Sequence, residues 1–388
     1  MTRFWIFTLT ISCLIAGSAA PALAGAKLTI NDNATIDFGF RLQALGLSSD
    51  RDLNGDGDWN TVERMGIRRA RFRLKGTVNE HVSMFFQTDV SGTAVNMIDA
   101  FATIKKDNWT QVIVGQNMAP SNRSNLTSSG ALMAADRPAQ TYKSMTWGMR
   151  ALSTFNTSTV SPTDSGLRGS AQVRDLGITL FGSGKVGEEM HGKYYLGVSD
   201  GIQAPGKDSE RVTARGQVNY GDAEAGYYNS GTYLGKKKTM ALGASVDAQP
   251  NVAMGSDGAV DYLYFSVDGF VEHPIGDGSL TVEAAFSKLD LDGNAKATEG
   301  TGFYVEAGYY IAEKKVQPWF LVDSWTSDGT SDAGEPGTYL MWRAGATCFL
   351  AGQNANIKVG FEQFKSDVNL IANEDTINSI LVGFYTTY

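Results

Sequence analysis

The sequence predicts an all-β chain closed into a transmembrane antiparallel β-barrel of about sixteen strands, an even number as bacterial barrels require. Three observations carry that prediction. Between Arg69 and Lys75 four cations alternate with Ala70, Phe72 and Leu74; successive strand side chains point to opposite faces, so such a strand has water on one side and an apolar medium on the other. Many alternating segments run about ten residues, enough for a tilted strand to cross a bilayer, whereas globular strands average about five or six. Short connections alternate with longer acidic ones, the rhythm of periplasmic turns and outer loops. A two-sheet sandwich also alternates apolar and polar residues, but strand length, loop rhythm and parity favour the barrel.

The first element is an export signal. Arg3 precedes an apolar run from Phe4 to Gly17, followed by the small-residue site Ala22, Leu23, Ala24. The run is shorter than the roughly twenty residues of a membrane helix, so residues 1–24 read as a cleaved signal peptide and 25–388 as the barrel domain. Cys13 leaves with the signal, and Cys348 alone makes no internal disulfide. No second long apolar stretch follows and the mean hydropathy is slightly negative, which excludes helical membrane spans. With 33 Lys+Arg against 41 Asp+Glu, a net charge of -8, the chain is a poor nucleic-acid binder.

The strands follow in order. Over 36–47, Ile36, Phe38, Phe40 and Leu42 alternate with Asp37, Gly39, Arg41 and Gln43. The cation ladder makes the second strand, 65–75; Met65 and Ile67 share the parity of its arginines, so a bulge or the membrane boundary belongs near Gly66. Strands over 81–90, 97–105 and 109–116 lead to a connection of about fifty-five residues, Gln116 to Val173, far beyond ordinary loop lengths. By parity this is the third outer loop, expected to fold into the lumen; a solvated loop with strand character over Met145 to Phe155 is the other reading. Strands over 174–182, 193–199, 211–220 and 238–248 come next, with Val212, Ala214, Val218 and Tyr220 opposed to Thr213, Arg215, Gln217 and Asn219. Lys236, Lys237 and Lys238 read as a solvated periplasmic turn, with a place just inside the lumen as the other reading. Strands over 261–272, 279–290, 301–312, 315–326, 339–350, 356–365 and 376–388 complete the count. Turns at Gly76 to Glu80, His273 to Gly278, Glu313 to Lys315 and Ala351 to Ala355 are short. Stretches at Ser48 to Glu63, Gln249 to Val260, Asp290 to Gly300, Ser327 to Gly337 and Asp367 to Asp375 read as outer loops.

Several segments resemble the phosphate-selective porin O and P family of Gram-negative outer membranes: Arg68 to Gly76 (RRARFRLKG), Ile98 to Ala102 (IDAFA), Val114 to Gln116 (VGQ), Asn125 to Ser129 (NLTSS), Asp136 to Pro138 (DRP), Arg174 to Gly177 (RDLG) and Gly231 to Gly243 (GTYLGKKKTMALG). The resemblance implies a sixteen-stranded channel, often a homotrimer, in contact with outer-membrane lipid and lipopolysaccharide, some members of which favour anions or polyphosphate.

Physical chemistry orients the cations independently. An Arg on the lipid face at the bilayer midplane costs about 2–4 kcal/mol, so Arg41, Arg69, Arg71, Arg73 and Lys75 face the lumen. With Arg123, Arg137, Lys143 and Arg150 of the long loop they form a candidate anion pathway, since guanidinium forks match phosphate oxygens and rings of cations serve anion pores. Inward Asp37, Asp89, Asp99, Asp268, Glu283, Glu306, Asp323 and Glu362 would instead pair with them and leave little net selectivity.

The first outer loop carries a second signal: Asp52, Asn54, Asp56, Gly57, Asp58, Asn60 and Glu63 match the spacing D-x-N-x-D-G-x5-E of a calcium loop, with oxygen ligands at alternate positions and glycine at the sharp turn. The flanks are strands and not helices, and exposed turns use the same residues, so a plain turn with no cofactor is the first reading; Ca2+ bound there, or divalent cations bridging acidic loops to lipopolysaccharide phosphates, is the other. His81, His191 and His273 are the only histidines, and none completes a recognisable hydrolase or metal arrangement, so no enzyme is expected. The chain therefore reads as a diffusion channel for small hydrophilic solutes favouring anions such as phosphate. The competing class is a non-transport barrel that is a structural or binding partner of another envelope component.

Overall fold

Arg211, Thr213, Arg215, Gln217 and Asn219 are buried while Val212, Val218 and Tyr220 of the same strand are exposed, so this protein is inside out. The pattern recurs around the molecule: Phe72, Leu176, Leu242, Phe303, Phe320 and Ile380 form an exposed apolar belt, and the polar side chains between them are covered. A sandwich core would reverse the two sets; an apolar belt around a polar interior is a membrane barrel.

The computed structural model describes residues 26–51, 60–90, 95–138, 173–201, 209–255, 258–292, 299–328, 337–366 and 376–388. The signal-peptide segment, residues 52–59 of the calcium-loop motif, and Lys143 and Arg150 lie outside them.

The strands are β1 (Ala26–Thr29), β2 (Thr35–Arg51), β3 (Asn60–Thr77), β4 (Val82–Asp89), β5 (Asn96–Lys105) and β6 (Gln111–Met118), followed by one helical turn, α1 (Arg123–Leu126). Then come β7 (Arg174–Lys185), β8 (Met190–Ser199), β9 (Arg211–Gly221), β10 (Thr239–Gly255), β11 (Gly258–Ile275) and β12 (Gly278–Asp290). The series ends with β13 (Gly300–Ile311), β14 (Val316–Ser327), β15 (Gly337–Phe349), β16 (Ala355–Ser366) and β17 (Thr376–Thr387). From β2 to β17 each strand pairs antiparallel with the next, and β17 returns to β2, which closes a sixteen-stranded barrel. At the seam Phe40 and Tyr388 exchange both backbone hydrogen bonds, at 2.8 and 2.7 Å.

Two details differ from the sequence reading. The short β1, not expected, pairs with the first residues of β2 beyond the reach of β17. The first and fifth outer loops are shorter than Ser48 to Glu63 and Gln249 to Val260: β2 and β3 pair as far as Arg51↔Asn60, and β10 and β11 as far as Gly255↔Gly258. Ser, Asp and Gly there suggest turns, but a facing strand that satisfies the ladder overrides that local preference.

In β3 the register steps from Gln43↔Arg69 to Ala44↔Ile67, leaving Arg68 as an extra residue. This bulge lets Met65 and Ile67 stay exposed while Arg68 and Arg69 are both buried.

Candidate functional site

The site is the lumen, and its cations come from inward positions of strands whose opposite faces are apolar. Most of them are matched. Arg71 Nε meets Asp89 Oδ2 at 2.8 Å, Arg174 Nε meets Asp99 Oδ1 at 2.7 Å, and Arg215 Nη2 meets Asp268 Oδ1 at 2.8 Å. Arg211 is paired with Asp247, and Arg343 with Glu362. Arg71 and Asp89 face each other directly across the β3–β4 ladder, as do Arg343 and Glu362 across β15–β16. Cross-strand pairing therefore accounts for much of the wall charge.

Residues 119–138, the described part of the long connection after β6, lie among these inward side chains. Asp136 is gripped by Arg68 Nε at 2.9 Å and Arg69 Nη2 at 2.8 Å, the two cations that the bulge turns inward together. Burial opposes ionisation of Asp136, but the two guanidinium groups outweigh it and hold the carboxyl well below the usual carboxylate range. Ala134 N donates to Glu306 Oε1 at 2.7 Å, Lys358 Nζ donates to Ala134 O at 2.8 Å, and Tyr385 donates to Ala135 O at 2.7 Å. The Asn122 side chain caps α1 by accepting from Asn125 N at 2.8 Å. Arg123 then reaches Glu283 of β12 at 2.9 Å.

A second segment, 222–238 between β9 and β10, also enters the barrel, and this corrects the reading of a merely solvated turn. Lys236 and Lys238 are exposed, but the residues before them pack inside. Tyr227 donates to Met118 O at 2.6 Å, and Asn229 exchanges backbone bonds with Leu126 and Ser128 at 2.8 and 2.9 Å. Glu272 of β11 anchors the return, accepting from Tyr233 N at 2.7 Å and Gly235 N at 2.8 Å. Leu234 and Gly235 have φ of 56° and 75°, and the turn spends a glycine on the second. Glu224 is buried yet held down to about 2, because burial is outweighed by the Arg123 guanidinium and by hydrogen bonds including the one from Tyr233. None of Glu224, Glu272, Lys193 or Lys358 was singled out by sequence; the only cue was three tyrosines, Tyr227, Tyr228 and Tyr233, in a stretch otherwise composed like a turn.

Four candidate cations stand apart. Among the described residues, the side chains of Arg41, Arg73, Lys75 and Arg137 form no ion pair with an Asp or Glu, although Arg137 N donates to Asp136 Oδ1 at 2.9 Å and Lys75 faces Asp37 across the β2–β3 ladder. Arg41 donates to Ser129 and Thr387, Arg137 to the Ser124 and Thr127 carbonyls, and Arg73 reaches the Tyr388 backbone oxygen at 3.3 Å. They line one cavity of about 400 Å3 together with the paired Arg71 and Arg174. Asp99 is the one carboxylate on that described lining, and its two oxygens are occupied by Arg174 and Gln87. Arg69 and Arg123 are instead committed to holding the two inserted segments. Of the calcium-loop residues, Asn60 and Glu63 belong to β3, with Glu63 opposite Ser48.

No curated protein sequence matches the chain. Solved structures of similar fold include an anion-selective porin from Comamonas acidovorans (11% identity, TM-score 0.59, 92% of this chain and 100% of that one). The outer membrane channel DcaP of Acinetobacter baumannii is also similar (14%, 0.54, 94% and 100%), as is OmpT of Vibrio cholerae (14%, 0.54, 94% and 100%). The model of the phosphate-selective porins O and P matches residues 41–239, just over half of the sequence. A closed barrel with an apolar belt, a charged lumen and that match lead to one conclusion: the chain belongs to the phosphate-selective porin O and P family and is an outer-membrane channel.

Proposed function

We propose that this porin passes small hydrophilic solutes with a preference for anions, phosphate among them. The observation that carries the reading is the cluster of Arg41, Arg73, Lys75 and Arg137 around one cavity, their side chains in no ion pair with an Asp or Glu among the described residues. Arg71–Asp89 and the other matched pairs contribute little net field, whereas unmatched cations in a narrow, low-dielectric passage attract anions and repel cations. The same reading has residues 1–24 removed on export and the barrel assembled as a homotrimer in the outer membrane.

Zero-current potentials across a planar bilayer with a KCl gradient test the preference. Anion selectivity that weakens as phosphate is added to compete with chloride is expected. Cation selectivity overturns the anion preference, and the absence of any open channel favours a barrel that is a binding partner in the envelope.

A further inference from the structure

The cavity that holds these four cations also has an aromatic lining. Beside the cations of β3, on the adjacent strands β4 and β5, stand Phe85 and Phe101, cross-strand partners with ring centroids 5.3 Å apart, and the same cavity is lined by Phe181, Tyr227 and Tyr228, with Tyr227 edge-on to both neighbours at 5.1 Å. Phe85 faces Lys75 and Phe101 faces Gly115 across their ladders, so the two phenyl rings are on the lumen side of the wall. Phe85, Phe101 and Tyr228 are only half-buried. A lumen surface is ordinarily polar, and inorganic phosphate or chloride gains nothing from a phenyl face, whose quadrupole presents negative charge. Cations and part-exposed rings side by side around one cavity of about 400 Å3 make up a small-molecule site with a few convergent polar groups.

We propose that this cavity binds organic anions with a flat apolar body, the carboxylate or phosphate head toward Arg41, Arg73 and Arg137 and the ring against Phe85, Phe101 and Tyr228. The Nε of Arg73 is buried and has no hydrogen-bond partner among the described residues, a donor that such a head group satisfies. Arg137 and Tyr228 belong to the two inserted segments, so the site exists only while both occupy the lumen. This inference rests on the anion preference proposed above and adds the class of solute.

The test uses the full-length channel in a planar bilayer carrying KCl current, with phenyl phosphate and inorganic phosphate, then benzoate and acetate, as probes. Each aromatic anion is expected to reduce the current at a concentration about tenfold below its aliphatic or inorganic counterpart, about 1.4 kcal/mol. The two pairs separate a phosphate head from a carboxylate head. Phe85→Thr with Phe101→Thr is expected to abolish the difference while leaving the KCl zero-current potential and the inorganic phosphate response unchanged. Phe101→Leu, which keeps the apolar volume, is expected to lose part of it and covers the case in which the double variant fails to insert. Equal responses to the aromatic and plain anions in an anion-selective wild-type channel overturn the proposal and leave the anion preference standing. An equal response to neutral benzyl alcohol also overturns it, since the cations would then be irrelevant. Cation selectivity of the wild type removes the underlying reading and this one with it.

Discussion

Arg123 and Glu224 meet in a two-bond fork, at 2.8 and 2.9 Å, although one belongs to the connection that follows β6 and the other to the turn that follows β9. These connections leave opposite ends of the barrel, since three further strands separate them. The pair therefore fastens a segment entering from the outer side to one entering from the periplasmic side. Both side chains are fully buried, so breaking the pair leaves an uncompensated charge, at a cost of about 3–5 kcal/mol. Glu224→Gln and Arg123→Met are each expected to loosen the two segments and raise both conductance and open-channel noise. The double variant should come closer to wild type than the sum of the singles, and single-channel recordings on all four proteins measure that coupling.

Glu224 titrates at about 2, below its ordinary 4.5. A carboxylate with a depressed value stabilises the folded arrangement above the ordinary value and loses that contribution as pH falls toward the depressed one. The part of the channel noise that depends on Glu224 is accordingly expected to rise as pH falls between about 4.5 and 2. Glu224→Gln should lack this step, which recordings across an acid titration can establish.

Removing a cation of the lumen and removing a carboxylate partner should act in opposite directions. Arg41→Gln with Arg73→Gln is expected to shift the zero-current potential toward the cation side. Arg71→Gln removes a cation but frees Asp89, so its shift should also run toward the cation side, whereas Asp89→Asn frees Arg71 and should increase anion preference. Equal effects of Arg73→Gln and Asp89→Asn in sign would contradict this assignment.

Gly130 sets the position of Arg41. A Cβ built there would lie 2.6 Å from Arg41 Nη2 and 2.9 Å from its Cζ. The obstructed atoms are the end of a flexible side chain, so Gly130→Ala should insert normally. The guanidinium should move, and the altered anion preference should appear in the zero-current potential without a change in heat stability.

The strands were legible because lipid and water impose opposite demands on alternate residues, as Val212 to Tyr220 shows in a single run. The inward direction of Arg69, Arg71 and Arg73 followed from the cost of placing them in lipid. Which of them would be neutralised did not follow, because Arg71 meets Asp89 through the register of two strands and Arg69 meets Asp136 through a loop 67 residues away. The turn 222–238 was illegible for a related reason. Its Gly, Asn and Asp suit a solvated turn equally well, and the partners that draw it inward, Arg123 and Glu272, are remote in sequence.

Arg68 is a change of phase. On its N-terminal side the lipid-facing residues of β3 are odd-numbered, Met65 and Ile67; on its C-terminal side they are even-numbered, Phe72 and Leu74. A period-two pattern cannot hold both sets outward unless one residue is slipped in between. A comparable slip lies between β4 and β5, at Gln87 and Thr88, beside Asp89. The sign of charge at each point of this lumen is thus fixed by counting as well as by chemistry: gaining or losing one residue at such a junction would exchange inside and outside for half a strand, with no side chain altered elsewhere.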